Sequence, residues 1–267
     1  MTAGQSDGQP DDPAAAGRVV LVTGGARGIG AACAAWFFDR GDRVAVTYRG
    51  DTPPPPPRSD GVATGSVATG SADRWLPVVC DVTDQAQVDA GFSTIEATWG
   101  PVEVLVANAG ITRDTLVLRM GEDAWQDVID TNLTGAYRVA KRAVAKMLRL
   151  HRGRIVFMSS VGAFVGLPGQ ANYAASKAGL VGMARALARE VASRQITVNV
   201  VAPGVVATDM ITALGEERNE QLRAMVPLGR AAEAAEVAEA VGFLASPGAG
   251  YITGAVLPID GGLGMGL

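Results

Sequence analysis

The 267-residue chain predicts one α/β domain: a doubly wound parallel sheet of about seven strands with helices on both faces. Three observations predict it. From Arg18 onward, short runs rich in valine and isoleucine alternate with longer segments of helical periodicity. Those short runs are apolar on both faces, as strands buried between two helix layers must be. A glycine turn, TGGARGIG, joins the first strand to the first helix.

Composition sets the outer bounds. Apolar residues make up 48% of the chain and charged residues 19%, enough to build a large core under two helix layers. A net charge of −4 and the lack of any basic block argue against a nucleic-acid surface. Residues 1–16 are polar and acidic without an apolar run, so a disordered tail is expected there, ahead of a single domain over 17–267. No stretch approaches the length of a membrane span, and a cytoplasmic location is expected. Cys33 and Cys80 lie far apart in apolar runs, which suits buried free thiols in a reducing compartment and no metal site. The single histidine, His151, falls in a basic helix end, where it suits capping better than catalysis.

Taken in order, RVVLVT is the first strand, and AACAAWFFDRG is a helix closed by Gly41. RVAVTYR is the second strand. Residues 52–74 then hold five consecutive prolines and a tandem VATGS repeat. Such a stretch cannot bury enough apolar surface to order itself, so it reads as a flexible surface insert where a crossover helix would normally stand. WLPVVCDV is the third strand, followed by an amphipathic helix with Thr83 or Asp84 as N-cap. PVEVLVANAG is the fourth strand. After the ITRDTLVLRM loop, one long helix is expected from about Glu122 to Leu150. RIVFMSS is the fifth strand, YAASKAGLVGMARALAREVAS the next helix, and ITVNVVAPG the sixth strand. A polar stretch over 208–230 leads to a helix at about Glu233–Leu244 and a last strand, AVLPID.

The glycine turn makes this a Rossmann-type sheet. Gly24, Gly28 and Gly30 follow a strand and open a helix, where backbone N–H groups and the positive helix end can hold a pyrophosphate. Thr23, Arg27 and Ile29 complete the turn. An acid at the end of the second strand would hold a ribose diol. Thr47 occupies that place instead, Arg49 follows, and Asp51, the competing acid, lies where the insert begins. Arg27 and Arg49 suit a 2′-phosphate, because a guanidinium binds phosphate oxygens as a fork, and NADPH is favoured. Asp81, beside Val82 at the end of the third strand, suits the adenine amino group or the cap of the next helix. Asn108, Ala109 and Gly110 end the fourth strand as a cofactor wall or simply as good turn residues.

Two of the four tyrosines carry a lysine four positions on: Tyr137 with Lys141, and Tyr173 with Lys177. Each pair shares one helix face, so the spacing alone selects neither. Tyr137 lies in the body of a helix and suits core packing beside a surface lysine. Tyr173 opens a helix one loop after Ser160, which closes a strand at the edge where the cofactor is expected. The second pair is therefore the candidate site. Tyr173 would protonate a ketone oxygen, Ser160 would hold that oxygen, and Lys177 would lower the phenol pKa from its usual value of about 10 and bond the nicotinamide ribose. Asn132 would bind a water that relays protons to Lys177, or bond a helix backbone.

These motifs together resemble the short-chain dehydrogenase/reductase family. TGGARGIG, NAG, the set Asn132–Ser160–Tyr173–Lys177, and APG followed by TDM stand in family order from about Arg18 to the C-terminus. NAGITRDTLVLRM, GQANYAASKAGLVGMARALAREVAS and YITGAVLPIDGG are most similar to the 3-oxoacyl-[acyl-carrier-protein] reductases of bacterial fatty-acid synthesis, and the shortened crossover resembles the mycobacterial type. The resemblance implies NADPH-dependent reduction of a 3-oxoacyl thioester on acyl carrier protein, with Pro203, Gly204, Val206 and Thr208 at the nicotinamide amide. It also implies a homotetramer packed through its two long helices, where Gly179, Gly182 and Ala186 suit close approach or packing on the sheet. Arg152 and Arg194 resemble basic contacts to an acidic carrier and equally suit solvated surface. Other readings are a reductase of another ketone, such as a 3-oxoacyl-CoA or a polyketide intermediate, and a non-catalytic NADPH-binding partner.

Overall fold

Seven strands form one all-parallel sheet, in the order β3-β2-β1-β4-β5-β6-β7. They are β1 (Val19–Val22), β2 (Arg43–Tyr48), β3 (Trp75–Val79), β4 (Val104–Ala107), β5 (Gly153–Met158), β6 (Ile196–Pro203) and β7 (Val256–Ile259). The computed structural model describes residues 17–57, 72–208 and 216–265. The expected N-terminal tail, the middle of the insert and the Asp209–Met210 end of the TDM motif lie outside them. The strand order reverses between β1 and β4, which opens a crevice beyond their carboxyl ends.

The helices are α1 (Gly28–Asp39), α2 (Gln85–Trp99), α3 (Glu122–Ile129), α4 (Gly135–Leu150), the one-turn α5 (Gly162–Val165), α6 (Ala171–Val191), α7 (Glu216–Ala224) and α8 (Ala234–Ala245). Alternation along β1 divides the core in two. Val19 and Leu21 face the layer of α2, α4 and α6, while Val20 and Val22 face α1 and α8. On the second face α1 and α8 nearly touch. A Cβ on Gly242 of α8 would run into the Trp36 ring of α1, which itself meets Phe37 edge-on at 5.1 Å. Cys33 and Cys80 are buried free thiols, as expected.

Three expectations change. The helix expected from Glu122 to Leu150 is interrupted: Asp130–Thr134 forms a π turn between α3 and α4, and it turns Thr131 and Asn132 inward. The stretch 52–74 is not a loose insert at its ends. Residues 72–74 form a 3₁₀ turn, and the Trp75 indole Nε1–H donates to the Pro54 carbonyl at 3.0 Å. Tyr137 is not a core residue but 48% exposed. Elsewhere the local chemistry follows the sequence. Asp84, of the two candidates, caps α2 by accepting from the N–H groups of Ala86 and Gln87. His151 ends α4 in the left-handed region at φ 53° and accepts from Arg194 Nη1 at 2.7 Å.

Candidate active site

The carboxyl ends of β1, β4, β5 and β6 meet at one sheet edge, and hydrogen bonds tie their loops together. Thr23 Oγ1 accepts from the N–H groups of Asn108 and Ala109, each at 3.0 Å, and the Asn108 carboxamide donates to the carbonyls of Thr23 and Gly24. Gly24 and Gly28 adopt φ +63° and +55°, a region that only glycine enters freely. Gly30 has no room for a Cβ, which would run into the Gly24 carbonyl and the Asn108 side chain. Ile29 packs on the core of the α1 face. Thr47 is buried, and its hydroxyl accepts from the Gly24 N–H at 3.0 Å. Thr47 and Asn108 are therefore braces for the turn, with side chains directed into it rather than toward a ligand.

The residues around the turn fit a dinucleotide phosphate. Helix α1 has no side-chain cap and no acid in its first turn, so its N-terminal N–H groups are left to a ligand. Arg27 is exposed, and its guanidinium has no partner among the described residues. Arg49, with its side chain 61% exposed, meets Asp81 through one nitrogen at 3.2 Å. Burial opposes charge on Asp81, but hydrogen bonds from Thr83 and Arg49 hold its carboxyl below the ordinary value. Val82 is buried against Gly135, where a Cβ would overlap its side chain. From β6, Gly204 lies so close to Asp260 that a Cβ would sit 2.7 Å from the Asp260 Cα. Val206 pairs with Ala232, and the Thr208 methyl lies 3.6 Å from where a Gly28 Cβ would be. The loop after β6 thus reaches across to the glycine turn.

Ser160, Tyr173 and Lys177 come together beside this crevice. Ser160 Oγ accepts from the Gly162 N–H at 3.2 Å and lies near enough to the Tyr173 hydroxyl to draw the phenol pKa down. Lys177 is buried, donates to the Met158 carbonyl at 2.8 Å, and lies 5.6 Å from the Tyr173 ring centre. The Tyr137–Lys141 pair has nearly the same internal geometry, at 5.8 Å, but on the exposed surface. Burial and Ser160, not spacing, distinguish the two pairs. Asn132 accepts from the Ile111 N–H at 2.8 Å and donates to the Ile111 carbonyl and to Ser176 Oγ. It locks the loop after β4 to α6. Its carbonyl oxygen and Lys177 Nζ both approach Gly110, 3.1 and 3.3 Å from a Cβ position there.

The electrostatics depart from expectation. Burial pushes the Tyr173 phenol above its ordinary pKa, against the pull of the neighbouring Ser160 hydroxyl, and the charge of Asp114 adds to the rise. Burial also draws Lys177 down to about 8. The lowering of the phenol expected from Lys177 does not appear in this geometry. A high phenol pKa keeps Tyr173 protonated near neutral pH, the state a proton donor needs.

Sequence reasoning passed over several supporting residues. Asn172, fully buried, accepts from the Tyr173 N–H at 2.8 Å and donates to the carbonyls of Arg113 and Ala124. Ser159 Oγ donates to the Lys177 carbonyl, and Gln170 donates to Asp114 across the site. An Asn directly before the tyrosine at a helix start was the available signal for the first. Arg152 and Arg194, by contrast, lie at the amino edge of the sheet, away from this site. Arg152 pairs with Glu103 at 2.8 Å and Arg194 meets His151. Gly179 packs on Leu133 of its own chain, whereas Gly182 and Ala186 face outward.

A parallel sheet with its glycine turn at the reversal of strand order, and two hydroxyls and a buried ammonium at the same edge, defines an oxidoreductase that works with a nicotinamide cofactor. The chain belongs to the short-chain dehydrogenase/reductase family: the family profile described as "Enoyl-(Acyl carrier protein) reductase" matches residues 24–264. It is similar to the 3-oxoacyl-[acyl-carrier-protein] reductase MabA of Mycobacterium tuberculosis (strain ATCC 25618 / H37Rv), 47% identical over 266 residues and 100% of both chains. It is also 47% identical to MabA of Mycobacterium avium, over 95% of this chain and 92% of that one. With the 3-oxoacyl-[acyl-carrier-protein] reductase FabG of Escherichia coli (strain K12) it shares 45% identity, over 93% of this chain and 98% of FabG. Among the described residues, no helix is long and apolar enough to cross a membrane, and no cluster of His, Cys, Asp or Glu could hold a metal ion.

Proposed function

We propose that the chain reduces the 3-oxo group of an acyl thioester carried on acyl carrier protein to the 3-hydroxy form, with NADPH as reductant. The observation that carries this reading is the placement of the Ser160 and Tyr173 hydroxyls beside each other at the carboxyl edge, with Lys177 buried behind them. Two neighbouring hydroxyls can both turn to a single carbonyl oxygen. That suits a carbonyl gaining negative charge better than a carbon–carbon double bond, and the similarity to MabA and FabG supports the same choice. A bound nicotinamide supplies the hydride. Tyr173 donates its proton to the oxygen as charge develops there, and Ser160 holds that oxygen in place. Lys177 keeps positive charge behind the phenol, which favours the phenolate left after proton transfer. Asn132, through Ile111 and Ser176, fixes the loop and helix around them.

Arg27 and Arg49 support NADPH over NADH, since Thr47 rather than an acid stands at the end of β2 facing the glycine turn, and the exposed Asp51 lies beyond the strand. The outward Gly182 and Ala186 on α6 support self-association into a tetramer through the long helices. Oxidation of NADPH and of NADH, followed with matched C4 to C16 3-oxoacyl chains on carrier protein and on CoA and with 2-enoyl thioesters, tests the reading. Reduction of the carrier-bound 3-oxoacyl group is expected, with NADPH preferred at least about tenfold, as befits loss of a charged hydrogen bond. Reduction of the enoyl thioesters alone, or of CoA esters in preference to carrier-bound ones, would replace it.

A further inference from the structure

The proline run is the one motif of the sequence that the reaction leaves unused, and it lies in the connection between β2 and β3, where the described residues hold only the 3₁₀ turn at 72–74. Its five prolines fix φ near the polyproline II value, and that helix repeats every three residues. The burial follows the same period: Pro54 and Pro57 are half-buried, and Pro53, Pro55 and Pro56 are exposed. The seat is Trp75, the first residue of β3. Its indole N–H donates to the Pro54 carbonyl at 3.0 Å, and its ring rests edge-on against Phe38 of α1 at 5.9 Å. A tryptophan donor under a proline-run carbonyl is the chemistry by which separate domains grip such segments; here it works within one chain.

The strap is also short. Trp75 pairs with Val44 at the amino end of β2, and Arg49 follows the carboxyl end of β2. Gly50, at φ +120°, and the bend over Asp51 and Thr52 turn the chain back, so that four residues separate Arg49 from the tie at Pro54. Arg49 meets Asp81 at 3.2 Å through its guanidinium and leads directly into the tied segment.

We infer that Trp75 is a positioning residue for coenzyme choice: by anchoring the strap at Pro54 it fixes Arg49 where a ribose 2′-phosphate must be met. The inference rests on the reading of Arg49 as the 2′-phosphate contact. A loosened strap lets Arg49 sample other positions, and the apparent affinity falls by the fraction of time it is misplaced. NADH, which has no 2′-phosphate, does not sense the change.

The test is direct binding of NADPH and of NADH to the full chain, read from nicotinamide fluorescence, in three variants. Trp75→Phe keeps an aromatic ring beside Phe38 and removes the N–H donor together with part of the indole's bulk. Insertion of two glycines between Gly50 and Asp51 slackens the strap and leaves Trp75 untouched. Arg49→Ala is the reference. Trp75→Phe and the insertion should each lower the preference for NADPH over NADH roughly fivefold, the worth of one net hydrogen bond. Trp75→Phe added to Arg49→Ala should lower it no further. A purely structural role would weaken both coenzymes together and leave their ratio alone, which overturns the inference. So does a wild-type ratio in both strap variants while Arg49→Ala collapses it, and in that case the coenzyme reading survives. If Arg49→Ala keeps the wild-type ratio, the coenzyme reading itself fails and the inference falls with it.

Discussion

Tyr173→Phe is expected to lower turnover of a 3-oxoacyl thioester by about 10³-fold, within the range that a positioned acid–base group contributes. NADPH binding should change little. The phenol oxygen is the only atom removed, the ring space stays filled, and Ser160 keeps its bond to the Gly162 N–H. The fold should survive as well, because Asn172 holds the helix start through the Tyr173 backbone rather than its side chain. Steady-state turnover and nicotinamide fluorescence, measured on one preparation, separate the two effects. Turnover within a few-fold of wild type would remove Tyr173 from the role of acid.

The second large effect concerns Lys177 and has a pH signature. Burial draws its ammonium down to about 8, so its positive charge is lost as pH rises through that value. Tyr173 is held above its ordinary pKa and stays protonated over the same range. The rate of ketone reduction should therefore be level near pH 7 and fall above about pH 8, with Lys177 as the titrating group. Lys177→Met should cost about 10²-fold or more in kcat and abolish that falling limb. Stability should move the other way. Between about 8 and the ordinary 10.5, the unfolded chain binds a proton that the folded chain has released, so this group makes the fold more stable as pH rises. Below pH 8 the buried ammonium is a cost, offset in part by its bond to Met158. Urea denaturation at pH 7 and pH 9.5 should show wild type gaining on Lys177→Met as pH rises. A limb that persists in the variant would assign it to another group.

Much of this site can be read from one dimension, and what cannot has physical reasons. The strands announce themselves because a strand buried on both faces must be apolar throughout, and the glycine turn because Gly24, Gly28 and Gly30 follow one strand. Ser160 singles out Tyr173 because strand ends and helix starts share an edge in a parallel sheet. The π turn at Asn132 leaves no trace, since it adds one residue to a turn while the apolar periodicity on either side continues. The sequence leaves the orientation of Thr47 and Asn108 open for a related reason. A polar side chain at a strand end can face the ligand or the neighbouring loop, and both choices satisfy it. The expected lowering of the Tyr173 pKa considers charge and overlooks burial, which a spacing of four residues does not report. The strap is hidden by its own composition: prolines suggest looseness until a tryptophan is found beneath them.

The chain's three lysines are sorted by access in a way that bears on its handling as a material. Burial makes Lys177 easier to deprotonate than an ordinary lysine, and so a better nucleophile toward an acylating dye or an activated resin. The same burial seals it from such reagents. Lys141 is exposed and Lys146 has a side chain 38% exposed, and both lie on α4. Amine conjugation thus follows reach rather than reactivity. Among the lysines, helix α4 serves as the attachment rail, and the one that chemistry alone would choose first is the one left unmodified.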